Sequence, residues 1–215
     1  MSFFYQNRTE QLYLYLSKNN PYAVHLHRQL ELIYVLSGST TVTVEQQEFH
    51  LLPGQGVLIF PNQMHGLKNI DAGQNLLCIF EPDFCHSFRH FFQNKKPAHN
   101  DFSIDALSEH SPIALKGLTS LAASMEKDRP TPSDTQMYAE GYLTLLLADL
   151  LPLLPLQTRI NTEDLELEQR LLLYLDGHYT EELSLESLSK EFGVSRFVLS
   201  RIFTEKLHTT FPDYV

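Results

Sequence analysis

Up to Phe80 the apolar positions recur at a spacing of two or in short unbroken runs, and beyond it they recur at three and four, so strands should precede helices. Tyr22 to His27 and Leu30 to Leu36 are rich in β-branched and aromatic residues and predict strands; Ser37-Gly38-Ser39 is turn material, and a hairpin is expected there. Thr40 to Glu45 alternates, Phe49 to Leu52 is apolar, Pro53-Gly54 marks a turn, and Val57 to Phe60 predicts a buried strand ending at Pro61-Asn62. Short strands at this spacing predict a sandwich or a barrel. Helices are predicted over Asp83 to Phe92, Ile113 to Lys127 and Thr135 to Leu151, the last two separated by Pro130 and Pro132 and the third ended by Pro152 and Pro155. Gln157 to Thr162 is the best linker, which gives a larger unit, 1–157, and a small all-α unit, 158–215, in an α+β chain.

The small unit has a helix-turn-helix pattern. Leu185, Leu188, Ser189 and Phe192 supply the inner face of a first helix, Gly193 suits a left-handed turn, Val194 plugs the space between helices, and Ser195 is a good N-cap. In the next helix Leu199, Ile202 and Phe203 face inward. That leaves Arg196, Phe197, Ser200 and Arg201 on the outer, N-terminal side, where side chains of such a helix reach base edges in a major groove.

The run S-x-x-x-L-S-R-x-F (Ser195 to Phe203) and the trailing F-x-x-Y (Phe211 to Tyr214) resemble the first helix-turn-helix of the AraC/XylS family of transcription regulators. By position the resemblance implies contact with double-stranded DNA through Phe197, Ser200 and Arg201, with Arg196 alongside. His208 departs from the family, which usually has Gly closing the reader helix. The family carries a second helix-turn-helix after a linker helix; Phe211 to Val215 reads as the opening of that linker, so the DNA-binding unit is expected to be about half present. From Ile160 onward five basic residues stand against eleven acidic ones, a net of −6. Phosphate neutralisation supplies most non-specific affinity, so weak DNA binding is expected of this piece alone.

A second constellation lies in the strands. His25 and His27 alternate onto one strand face, Glu31 follows, and Gly38 comes seven residues later, in the pattern H-x-H-x3-E-x6-G; His65 in P-N-Q-M-H-G-L-K-N adds a fourth candidate. The spacing resembles the first cupin motif, and Pro61, His65 and Asn69 resemble the second with one residue fewer between Pro and His. Cupin barrels form the sensor half of many AraC-type regulators. The resemblance therefore implies a cupin-like β-barrel whose His25, His27, Glu31 and His65 bind a small-molecule effector, a sugar being favoured, followed by helices that usually dimerise.

Three imidazoles and a carboxylate also form a set for a divalent transition metal, and a metal-dependent cupin enzyme or metal sensor is the alternative reading. A bland role as satisfied barrel histidines is credible for any one of the three, less so for the set. His86 and His90, spaced i, i+4, read as surface or interface residues. No phosphate-binding loop, dinucleotide fingerprint or Ser-His-Asp order in motif context occurs, and the attached reader argues against an enzyme. Gln136 to Leu151 is apolar on more than one face, so it is expected to cover the barrel on one side and to meet a second copy on the other, making a homodimer.

Composition narrows this further. The 215 residues are 43% hydrophobic and 20% charged, which is ordinary globular material, and the net charge of −10 argues against an unspecific nucleic-acid or membrane coat. No apolar run reaches membrane-spanning length, the N-terminus lacks signal-peptide order, and Cys78 and Cys85 form no disulfide framework. A reducing cytoplasm is the expected home, with Cys78 a buried small hydrophobe.

Overall fold

The structure is a computed structural model that describes residues 4–6, 8–18, 21–69, 73–92, 95–127, 129–158, 167–178, 183–206 and 210–214. In chain order the strands are β1 (Phe4–Tyr5), β2 (Leu12–Ser17), β3 (Tyr22–Leu26), β4 (Leu30–Ser37), β5 (Thr40–Val44), β6 (Gln47–Leu51), β7 (Gln55–Ile59), β8 (His65–Asn69), β9 (Gln74–Phe80), β10 (Lys95–Pro97), β11 (Asp101–Ser103) and β12 (Leu156–Thr158). The helices are α1 (Arg89–Phe92), α2 (His110–Ala122), α3 (Ser133–Leu150), α4 (Leu167–Gly177), α5 (Leu185–Phe192), α6 (Arg196–Arg201) and α7 (Phe211–Tyr214).

Two five-stranded sheets face each other, ordered β1-β3-β8-β5-β6 and β11-β7-β4-β9-β2, while β10 and β12 form a separate pair. Strand alternation assigns each side chain its layer. Along β4 and its neighbours, Leu30, Leu32, Leu58 and Cys78 turn away from the opposite sheet and pack under Leu115, Leu118, Leu143 and Leu147 of α2 and α3. Ile33, Val35, Ile59 and Ile79 turn the other way and meet Val42, Val44 and Leu67 of the facing sheet. Full burial of one such side chain stabilises the fold by roughly 1.5–3 kcal/mol, so the doubly covered sheet carries most of the apolar driving force.

The hairpin expected at Ser37-Gly38-Ser39 does not form. Gly38, with φ of 73°, instead passes the chain from one sheet to the other: β4 pairs with β7 and β9, and β5 with β6 and β8. The reason is burial, because β4 is apolar on both faces and takes the centre of its sheet. The strand spacing left sandwich and barrel open, and the facing sheets make a sandwich. The helix predicted from Asp83 is reduced to a 3-10 turn, His86–Phe88, and the single turn α1.

The small unit packs α4 to α7 around Leu171, Leu175, Leu188, Leu199, Ile202, Phe203 and Phe211. Ser184 and Ser187 cap α5 reciprocally, Gly193 ends it at φ of 64°, and the Ser195 hydroxyl accepts from the Val198 backbone N–H at 3.3 Å to start α6. After Arg201 the helix widens into a π turn, Ile202–Lys206. His208 and the linker residues 159–162 lie outside the described residues. No helix among the described residues is long and apolar enough to cross a membrane.

Candidate metal and effector site

The structure brings His25, His27, Glu31 and His65 together between the two sheets, with one ligand atom from each lying within 4.8 Å of the others. β3 supplies His25, the residue after its end supplies His27, β4 supplies Glu31 and the first residue of β8 supplies His65, which lies opposite His25 in the antiparallel register. All four are buried.

Each imidazole is oriented by a backbone carbonyl. The Nδ1 atoms of His25, His27 and His65 lie 3.0, 3.1 and 2.8 Å from the carbonyl oxygens of Ala23, Gln29 and Gln63. A carbonyl only accepts, so each Nδ1 carries the hydrogen and donates it, and a neutral ring is left with a bare Nε2. The Nε2 atoms of His27 and His65 face the same oxygen, Glu31 Oε2, at 3.0 and 3.1 Å.

Burial, aided by the neighbouring His65, pushes His25 down to about 2. It lowers His27 as well, against the pull of Glu31. Burial alone would raise Glu31, but the imidazoles of His27 and His65 outweigh it and hold the carboxyl well below its usual range. The outcome is neutral His25 and His27 rings beside an ionised Glu31. Acceptors facing acceptors at 3 Å are satisfied by a shared cation, and hydrogen bonds locking Nδ1 are the support that metal-ligating histidines receive. Three nitrogens and one carboxylate oxygen thus fit a divalent first-row metal.

Beside the cluster a cavity of about 350 Å³ reaches toward the surface, with His25 and Glu31 at its inner end and Gln6, Arg8, Tyr22 and Lys127 among its other walls. β2 contributes Tyr15 and Ser17, and Leu67, Leu77 and Ile79 form its apolar side. Arg8 is 7% exposed and its guanidinium lies 4.6 Å from the Tyr13 ring. Arg8, Gln6 and Lys127 had no motif to mark them in the sequence; only the fold returns these distant positions to one cavity.

The outer face of the same strand meets the helical unit. Val24 and Leu26, alternating with His25, pack with Met64 against Leu172 of α4 and Tyr214 of α7. The Gln169 amide of α4 donates to the Asn62 carbonyl at 3.3 Å, and the Asn62 N–H donates to the His27 carbonyl at 2.8 Å. Between the cluster and α4 there is therefore one strand thickness and one turn.

On α6, Arg196, Phe197 and Arg201 are exposed, Phe197 at 70%, and Ser200 is half-buried. Arg201 is held along the helix by both carboxylate oxygens of Glu205, at 2.6 and 2.8 Å. His86 and His90 lie on the surface, away from the cluster. Cys78 is buried, and burial pushes its thiol well above the usual range. α3 buries Ala139, Leu143, Leu146, Leu147 and Leu150 against the sandwich and leaves Met137 and Tyr138 exposed, Tyr138 lining a groove with Ile113 of α2.

Residues 18–80 match the family model of the cupin domain. Over 97% of this chain and 78% of its own, the solved structure of unsaturated fatty acid bound ToxT from Vibrio cholerae is similar, with 13% identity and a TM-score of 0.50, which shows a shared fold across both units. The AraC-like transcriptional activator CuxR is similar over 82% of this chain and 61% of its own, with 13% identity and a TM-score of 0.42. A conserved protein from Streptococcus pyogenes, SPY1581, is similar over 35% of this chain and 68% of its own, with 22% identity and a TM-score of 0.33. No curated protein sequence matches the chain.

Proposed function

We propose that this chain is a ligand-responsive transcription regulator of the AraC type, in which a small metabolite bound beside His25, His27, Glu31 and His65 alters sequence-specific DNA binding by α5 and α6. The observation that carries the reading is the two-faced strand: His25 lines the site while Val24 and Leu26 hold the helical unit. Occupancy that shifts β3 or the turn at Asn62 changes the contact with α4, and a ligand biases the two arrangements only by the difference in its affinity for them. A sugar is the effector class that the family resemblance favours, and the hydroxyls lining the cavity support it. The fatty acid held by ToxT supports an effector within this fold.

The cluster fits a divalent metal held by the three Nε2 atoms and Glu31 Oε2; when bound it supplies a Lewis-acidic anchor for an oxygen of the effector. That same convergence favours the second reading, a metal-dependent cupin enzyme, and turnover of a substrate by metal-loaded protein would establish it in place of the first. Arg196, Phe197, Ser200 and Arg201 are the proposed base-reading residues, and the exposed groove between Ile113 and Tyr138 is the proposed homodimer face. A monomer mass at high concentration would remove the dimer. The cytoplasm is the compartment such a regulator needs.

The test is selection from a random duplex library at low salt with the purified chain. An enriched motif that changes with Phe197→Ala or Ser200→Ala is expected, and its affinity should respond to cavity ligands. Failure of any sequence to enrich would overturn the regulator reading.

A further inference from the structure

The chain carries a net charge of −10, yet the cavity between the sheets has the opposite sign. Its ionised walls are the guanidinium of Arg8, the ammonium of Lys127 and the carboxylate of Glu31. Glu31 is already turned toward His27 and His65. Two cations thus border the open volume, and a metal at the cluster would add to the excess. Arg8 is more than nine-tenths buried, which strengthens its field because little water screens it. Lys127 is exposed, and its ammonium lies 5.4 Å over the ring of Tyr22, another wall of the same cavity. The remaining polar walls are hydroxyls, those of Tyr15, Ser17 and Tyr22, together with Gln6, whose Nε2 donates to the Tyr22 hydroxyl at 2.8 Å. Gln6 Oε1 is buried without a hydrogen-bond partner among the described residues, an acceptor awaiting a donor.

Resting on the sensor reading above, we infer that the effector is a small hydroxycarboxylate, such as a sugar acid, rather than a neutral sugar. Its carboxylate meets the Arg8 and Lys127 cations, its hydroxyls meet Tyr15, Ser17, Tyr22 and Gln6 Oε1, and its carbon skeleton lies on Leu67, Leu77 and Ile79. A guanidinium matches a carboxylate with two parallel donors, a recognition a hydroxyl cannot return.

The experiment compares matched pairs by titration calorimetry on the whole chain, with and without saturating zinc: D-glucuronate against D-glucose, D-galacturonate against D-galactose, and lactate against 1,2-propanediol. Inorganic phosphate is the control for unspecific anion binding. At least one acid should bind while its neutral counterpart is silent. Lys127→Gln, at an exposed position that does not threaten the fold, should weaken that acid about tenfold, and Arg8→Gln about 10- to 100-fold. Arg8→Lys should restore part of the loss.

Binding of a neutral sugar in preference to its acid would overturn the inference and leave the sensor reading standing. Phosphate binding as tightly as every acid, silence from all three acids, or affinities indifferent to both Lys127→Gln and Arg8→Gln would also overturn it. An acid that binds through Arg8 but leaves amide exchange in α4 unchanged would support the ligand class and remove the sensor reading.

Discussion

Holding His25 and His27 neutral between the sheets makes the metal-free protein acid-labile. Lowering the pH from 7 to 5 in the presence of a chelator is the perturbation. His25 has an ordinary value of 6.5 and is pushed down to about 2 in the fold. Between those values the unfolded chain binds a proton that the folded chain refuses, so stability falls as pH drops below 6.5 and continues to fall toward 2. At about 1.4 kcal/mol per pH unit, His25 alone removes about 2 kcal/mol by pH 5. His27, lowered by the same burial, adds loss of the same sign. Glu31 is held below its ordinary range, so its contribution stands above pH 4.5 and is lost only as pH falls through its folded value, beneath this window. Urea unfolding followed by far-ultraviolet circular dichroism and tyrosine fluorescence, the chain having no Trp, measures the slope. The double variant His25→Asn, His27→Asn should flatten it. Equal stability at pH 7 and pH 5, or an unchanged slope in the double variant, would refute the claim that these rings are buried neutral.

Glu31→Gln should keep the fold and weaken zinc or manganese binding by roughly 10- to 100-fold in equilibrium dialysis; unchanged affinity would remove Glu31 from the site. Leu172→Ala empties the contact with Leu26 without touching the cluster, and should cost about 2–4 kcal/mol of the docking between sandwich and α4, seen as faster amide exchange in β3 and α4. Unaltered exchange there would show that the contact does not hold the units together. Glu205→Ala removes the carboxylate that holds Arg201 along α6, so it should strengthen binding to duplex DNA and steepen its salt dependence. Identical affinities would place Arg201 away from the DNA.

Much of the site could be read from the chain because its geometry is local. A period of two puts His25 and His27 on one face, and Glu31 follows close enough for the next strand to return it. The inner face of the helix-turn-helix was legible for the same reason: Leu199, Ile202 and Phe203 are all buried where period and capping put them. Sheet membership was not legible. Gly38 carries the same residue signal whether it closes a hairpin or sends the chain to the opposite sheet, and what decides is that β4 needs neighbours on both sides. β2, the edge of that sheet, was not legible either: Leu12 to Ser17 alternates, but alternation does not say which strand it joins until β9 pairs with it. Arg8 and Lys127 carry no motif at all, and their meaning comes from the fold closing over them.

That division between local and assembled features bears on how binding is transmitted. His25, His27 and Glu31 are close in sequence, His65 is brought to them by the pairing of β8 with β3, and a backbone carbonyl orients each ring. Among the described residues the contact with α4 includes the apolar side chains of Val24, Leu26, Met64 and Leu172 and a 3.3 Å amide hydrogen bond. On the proposed reading, a small displacement inside the sandwich reaches α4 through Val24, Leu26 and Met64 rather than through the sheet buried under α2 and α3. On the same reading, binding changes which surface of the helical unit is presented by as much as the ligand's affinity differs between the two arrangements.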